Sequence, residues 1–246
     1  MSPSESPQLS DKTRARLELA STPTIATLLF KHGFRNAYVQ GVSALNKTDR
    51  KLVGPAFTLR YIMAREDTDQ LSAFREPDHP QRLAVETCPE GHVLVMDCRQ
   101  DASAASAGSI LLTRLEVRGV AGCVTDGGIR DAEGACELSM PIFTAKPSAP
   151  TNLTKHHAVD MNVPISCGGV PVYPGDVIVG DGDGVMVIPA HMVDQIAEEA
   201  EPMEEYETFV LDEVRRGVPI IGLYPPTDPE SLERFEAWKA KRSQQQ

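Results

Sequence analysis

The chain has 246 residues, 41% of them hydrophobic and 24% charged, with a formal net charge of −11. That is the composition of a globular protein long enough for a sizeable core in one large domain or two small ones, and its acidic balance disfavours general nucleic-acid binding. No apolar run approaches the ~20 residues of a membrane span, and the opening Met1-Ser2-Pro3-Ser4-Glu5-Ser6-Pro7 has no apolar secretion core, so a cytoplasmic protein that binds neither membrane nor nucleic acid is expected.

Ser21-Thr22-Pro23 reads as a helix start with proline in the first turn. Ile25, Leu28 and Leu29 follow at helical spacing, and Gly33 can close the helix. Leu52 to Ile62 alternates as a strand. The polar stretch from Glu66 to Pro80, with Asp67, Asp69, Glu76, Asp78 and His79, is a loop with or without a helix. Gly91 leads into a buried strand, His92 to Met96, that ends at Asp97.

From Asp101 to Arg118, the positions Ala102, Ala104, Ala105, Ala107, Ile110, Leu111, Leu112 and Leu115 make a helical pattern that Gly108 interrupts. A mid-helix glycine costs about 1 kcal/mol relative to alanine and needs a reason. Either another element packs closely there, or the helix begins near Gly108 and leaves the amides of Ser109, Ile110 and Leu111 free to hold a carboxylate or phosphate.

The most informative segment is Thr125-Asp126-Gly127-Gly128-Ile129-Arg130-Asp131-Ala132-Glu133. It follows the apolar run Val120 to Val124 and precedes a short helical stretch ending near Ser139. A strand, a glycine turn and a helix start place Arg130 and Asp131 at a strand's C-terminal end, where open α/β folds collect ligand chemistry. Arg130 is a permanent cation with a planar fork of donors, and Asp131 is a hard carboxylate suited to Mg²⁺ or Mn²⁺. The same residues also suit a surface turn with a helix-capping Asp.

Pro141 to Thr144 reads as a strand, and Lys146 to His157 as a loop whose Lys155-His156-His157 cluster is exposed, because adjacent histidines rarely chelate one metal. Val163 to Cys167 and Val177 to Ile188 are β-rich, with turns at Pro174-Gly175-Asp176 and Asp181-Gly182-Asp183-Gly184. The latter lacks the spaced ligands of a calcium loop and reads as a hairpin turn. An acidic helix runs from His191 to Arg216 with a largely solvated face and a possible kink at Pro202. The tail after Tyr224 is proline-rich, then weakly helical around Leu232 to Trp238. Cys88, Cys98, Cys123, Cys136 and Cys167 form no CxxC pair and read as small hydrophobes, four of them in core elements. No internal repeat is apparent.

Asp97, Asp101, Ala105 and Gly108, then Gly119-x-x-Gly122-x-Val124-x-Asp126-Gly127-x-x-Arg130-Asp131, resemble the RraA-like family. So do Val163-Pro164-Ile165-x-Cys167-Gly168-Gly169-Val170-x-Val172-x-Pro174-Gly175-Asp176 and Asp181-x-Asp183-Gly184-Val185 with Ile188-Pro189. That family contains ribonuclease activity regulators and divalent-metal aldolases for 4-hydroxy-4-methyl-2-oxoglutarate. The resemblance implies an α/β fold, a swivelling β/β/α domain over residues 21–223, with a polar or helical arm at 1–20 and a tail at 224–246. It also implies a homotrimer or hexamer with the active site at a subunit interface.

By the same resemblance, Asp131 is the direct ligand of Mg²⁺ or Mn²⁺, Arg130 bonds the keto oxygen of a small 2-oxo acid, and Gly108 with the amides of Ser109, Ile110 and Leu111 receives the substrate carboxylate. A neighbouring subunit's glutamate reaches the metal through water, Glu207 by position with Glu204 as its rival. The expected activity is retro-aldol cleavage or oxaloacetate decarboxylation through a pyruvate enolate, without a lysine Schiff base at Lys146 or Lys155. Alternatives are a non-catalytic regulator of an RNA-processing enzyme and a metal-dependent hydrolase or dehydratase of a sugar-derived acid. Two features depart from the aldolase pattern: Ser109 stands where aldolases often carry Asp or Glu, and the loop from Asn152 to His157, with Lys146-Pro147, matches no known specificity. The regulator branch tends to lose the Asp of the Arg-Asp pair, which this chain keeps.

Overall fold

Four parallel strands form the centre of a nine-stranded mixed sheet in a computed structural model that describes residues 9–243. The polar Met1 to Pro7 stretch lies outside the described residues. In chain order the elements are α1 (Asp11–Leu19), α2 (Thr22–Lys31), β1 (Ser43–Ala44), β2 (Leu52–Met63), α3 (Pro80–Thr87), β3 (Val93–Asp97), β4 (Ala105–Ala107), α4 (Ser109–Val117), β5 (Gly122–Ile129), α5 (Ala132–Cys136) and β6 (Ile142–Pro147). They continue with β7 (His156–Met161), β8 (Ile165–Cys167), β9 (Val170–Val172), β10 (Val177–Asp181), β11 (Gly184–Ile188), α6 (Val193–Arg215) and α7 (Pro229–Ser243). Short 3₁₀ turns at Leu71–Arg75 and Asn152–Thr154 precede α3 and β7. The sheet order is β1-β6-β5-β3-β2-β10-β11, with β4 pairing β5, β7 pairing β2, and β8-β9 a separate hairpin. Among the described residues no helix is long and apolar enough to cross a membrane.

Local chemistry explains several boundaries. Ser21 caps α2 by accepting from the Thr24 amide at 3.2 Å, Pro23 sits in the first turn, and Ile25, Leu28 and Leu29 face the core. Gly33 follows at φ +87°, a left-handed position that glycine adopts without a steric penalty. The β10-β11 hairpin turns at Asp181 to Gly184 as expected, with the Asp183 amide donating to Asp181 at 3.0 Å.

Three expectations are corrected. The glycine pair Gly127-Gly128 is no turn, because β5 runs through it, fully buried, to Ile129. Glycine is required there for close approach: a Cβ on Gly127 would lie 2.7 Å from Cys98 Cβ, and one on Gly128 would lie 2.5 Å from Ser148 Cβ. The helical pattern from Asp101 is helix only from Ser109 onward. Ala105 and Ala107 instead form β4 against Gly128 and Ile129, where small residues let the backbones approach. His156 is fully buried at the start of β7, edge-on to Tyr61 with ring centroids 5.1 Å apart, rather than exposed.

One face of the sheet packs α3 and α4 over Leu59, Tyr61, Leu94, Met96 and Ile129. The other carries Val93, Val95, Val124 and Phe143 beneath β8-β9. A third cluster packs α1, α2 and α6 against β10 and β11. The acidic helix α6 continues through Pro202, and its charges are more than a solvated face. Glu198 and Glu201 hold Arg16 at 3.3 and 2.9 Å, Glu199 holds His32 at 2.8 Å, and buried Glu213 binds both Arg216 and Arg234 at 3.1 Å.

Candidate active site

Arg130 and Asp131 follow directly from the C-terminal end of β5, before α5. The Arg130 amide donates to the Ala107 carbonyl at 3.1 Å, which ties the pair to the strand leading into α4. Asp131 takes φ +54° and ψ +43°, a left-handed conformation rare for residues other than glycine, asparagine and aspartate. That bend turns its carboxylate back toward Arg130 Nε, 3.5 Å from Oδ2, and toward the Ser109 hydroxyl, also 3.5 Å from Oδ2. Both side chains of the pair remain about half exposed, at 45% and 48%.

Gly108 precedes α4, and no side chain caps the helix. The first helical bond runs from Leu112 N to Gly108 O at 3.1 Å, so the amides of Ser109, Ile110 and Leu111 lie in the unpaired first turn at the positive end of the helix. A Cβ on Gly108 would come within 2.8 Å of Asp131 Oδ2 and 2.9 Å of Arg130 Cγ. The glycine is therefore what allows the pair to sit against the helix start. Together Gly108, Ile110, Leu111, Arg130 and Asp131 line a cavity of about 480 Å³. Glu207 and Glu204 are not brought to it within one chain: Glu207 accepts from the Tyr224 hydroxyl at 2.8 Å, and Glu204 accepts from the Ser21 amide at 2.7 Å.

Two buried carboxylates behind the pair supply the scaffold. Asp126, 2% exposed, accepts from the amides of Cys98 at 2.6 Å and of Gln100 and Gly168 at 3.0 Å. Burial pushes its pKa up, against those donors, which favour the anion. Asp97 accepts from Arg99 at 2.9 Å and Ser166 at 3.1 Å. The two hold Arg99 and Gln100 at φ +57° and +59°, and they tie the ends of β3 and β5 to the Cys167-Gly168-Gly169 turn. A lone carboxylate inside an apolar strand was the available sequence signal for Asp126.

Sequence reasoning assigned no role to Gln81, Arg82, Phe74 or Asn152, which also line the cavity. The signal for Asn152 was faint, because its loop follows no periodic pattern. The cysteines behave as small hydrophobes: Cys88, Cys98, Cys123 and Cys167 are buried, and burial pushes the Cys88 thiol up to about 12 and raises the other three as well.

Comparison with known proteins places the chain. A model of the RraA-like family, described as Aldolase/RraA, matches residues 6–187. A protein of Halalkalibacterium halodurans named "Putative 4-hydroxy-4-methyl-2-oxoglutarate aldolase" is 36% identical over 159 residues, 65% of this chain and 69% of its own length. A Streptomyces coelicolor crystal structure, described as an unusual member of the RNase ES inhibitor RraA protein family, is 30% identical with a TM-score of 0.73, covering 82% of this chain and 97% of that one. An uncharacterized Pseudomonas syringae protein shares the fold at 21% identity and a TM-score of 0.76, covering 91% and 98%.

Proposed function

This chain belongs to the RraA-like family, and on that premise we propose that it is a divalent-metal-dependent carbon–carbon lyase for a small 2-oxo acid. One observation carries the proposal: a guanidinium and a carboxylate, 3.5 Å apart, face the uncapped start of α4 across a glycine with no room for a side chain.

Asp131 would hold the metal. Among the described residues no group of three or more His, Cys, Asp or Glu side chains could cage an ion. A single half-exposed carboxylate instead fits Mg²⁺ or Mn²⁺ retaining most of its waters. When bound, such an ion supplies Lewis-acid charge at the substrate's keto oxygen. The substrate carboxylate accepts from the amides of Ser109, Ile110 and Leu111. Arg130 then meets the keto oxygen with donors that stabilise its developing negative charge.

The C3–C4 bond breaks, and its electron pair moves through C3 and C2 onto the keto oxygen as the enolate of pyruvate. From oxaloacetate the departing piece is CO₂. From 4-hydroxy-4-methyl-2-oxoglutarate it is a second pyruvate, whose hydroxyl proton passes to water. A proton from water then adds at C3. Ser109 is a poor acid or base near neutral pH, so its role is to orient water beside Asp131, 3.5 Å away. A cytoplasmic homotrimer or hexamer, with Glu207 or its rival Glu204 reaching the site from a neighbouring subunit, completes the proposal.

The test is pyruvate release from oxaloacetate and from 4-hydroxy-4-methyl-2-oxoglutarate, with Mg²⁺ or Mn²⁺ and with EDTA. Activity is expected only with metal, and it should be lost in Arg130→Ala and Asp131→Ala while both variants stay folded. The likeness to the Streptomyces protein favours one other reading, a regulator that binds an RNA-processing enzyme. Inhibition of a ribonuclease that Asp131→Ala leaves unchanged, together with no metal-dependent pyruvate release, would establish that reading instead.

A further inference from the structure

The cavity continues past the Arg130-Asp131 pair. Strand β4 pairs β5 on one side and bridges Thr151 on the other through Ala105, so Arg130 and Asp131 lie at one edge of the cavity floor and Asn152 at the other. Asn152 is 2% exposed, and its Oδ1 receives the Thr151 hydroxyl at 3.2 Å. Its Nδ2 is buried with no partner. A buried amide donor is satisfied in nearly every folded protein, so an unpaired one on a residue that lines a cavity marks a place for an acceptor.

Arg82 supplies the second observation. It projects from α3 into the same cavity with its guanidinium 4.9 Å from the centre of the Phe74 ring. It makes no ion pair or side-chain hydrogen bond among the described residues, and stacking on an aromatic face leaves the edge donors of a guanidinium available. The charged residues lining the cavity are therefore Arg82, Arg130 and Asp131, a local positive excess in a chain of net charge −11. One carboxylate is accommodated by the start of α4 and leaves Arg82 and Asn152 unanswered.

We propose that Arg82 and Asn152 form a second anion subsite that selects 2-oxo acids carrying a second, distal carboxylate. This rests on the lyase reading and adds the residues that read the far end of the substrate. Arg82 supplies charge and Asn152 a buried, directional donor, while Leu71, Phe74 and Ile110 enclose the carbon chain between the two carboxylates. It also assigns a role to the loop beginning at Asn152, which the family pattern leaves unexplained.

The experiment is calorimetric titration of the full-length protein, in Mg²⁺, with pyruvate and with 2-oxoglutarate. Wild type should bind 2-oxoglutarate at least about tenfold more tightly than pyruvate. Arg82→Met and Asn152→Leu should each remove most of that preference and leave pyruvate affinity within about twofold. Arg82→Met keeps the aliphatic stem on a half-buried helix face, so it remains informative if Asn152→Leu fails to fold. A wild type without preference, or a preference that survives in Arg82→Met, overturns the subsite. Pyruvate binding that Arg130→Ala leaves intact would instead overturn the reading of the Arg130-Asp131 site, so the two failures are distinguishable.

Discussion

At Gly108 the missing side chain is the functional feature. An alanine Cβ would lie 2.8 Å from Asp131 Oδ2 and 2.9 Å from Arg130 Cγ, so one of the two must move. A displacement near 1 Å costs on the order of a hundredfold in rate. Gly108→Ala is therefore expected to lower kcat/KM for pyruvate release by about that factor while circular dichroism stays unchanged. His156 carries the second residue-scale prediction. Burial lowers its pKa to about 4, against the attraction of Asp101, which raises it. The ordinary value is higher, so between about pH 6.5 and 4 the unfolded chain binds a proton that the folded chain refuses. Stability is thus intact above that window and falls as pH drops through it. Urea unfolding at pH 7 and pH 5 should show a loss of stability in wild type that His156→Phe makes shallower. Residue chemistry singled out Arg130, Asp131 and a helix starting near Gly108, but it left each beside a purely structural alternative that only the family resemblance set aside. The burial of His156 was not legible, because nothing in a Lys-His-His run shows that β7 turns its first residue inward against Tyr61.

Between elements, the site depends on β4 and β5 together. The glycines read as a turn continue β5, and the alanines read as helix form β4. In both cases small residues serve a close backbone approach that periodicity alone cannot separate from a turn or an Ala-rich helix. The strand boundaries of β3, β10 and β11 were readable because their apolar runs end at Gly, Pro or Asp, whereas β2 was readable from its Val, Phe, Leu and Tyr content. Asp126 shows what a single carboxylate contributes at this scale. Asp126→Ala would leave the amides of Cys98, Gln100 and Gly168 without their acceptor. A loss on the order of 3 kcal/mol follows from unsatisfied buried donors, which corresponds to a fall in Tm of about 6–12 °C. Differential scanning calorimetry measures it, and a fall under about 2 °C would mean that water replaces the carboxylate.

Across the molecule, the cores are unequal. The sheet and its two faces hold most of the large buried side chains, whereas α7 rests on a separate small cluster of Phe209, Val210 and Leu223 with Tyr206, Phe235 and Trp238. Few buried partners mean easy local opening. Hydrogen–deuterium exchange is expected to be fast along α7 and slowest in β3 and β5, and equal protection in the two would contradict this. The helical tail was only weakly legible, since its aromatic residues meet α6 through tertiary contact and not through a strong local pattern. One wider consequence concerns the order of events in folding. The donors of the cavity come from Arg82, the start of α4 at 109–111, Arg130 and Asn152, sequence-distant stretches that the central sheet and β4 bring together. Such sequence-distant pairings form late in a folding reaction, so a refolding chain gains ligand affinity only when its central sheet closes, and nascent helices along the way have nothing to recognise.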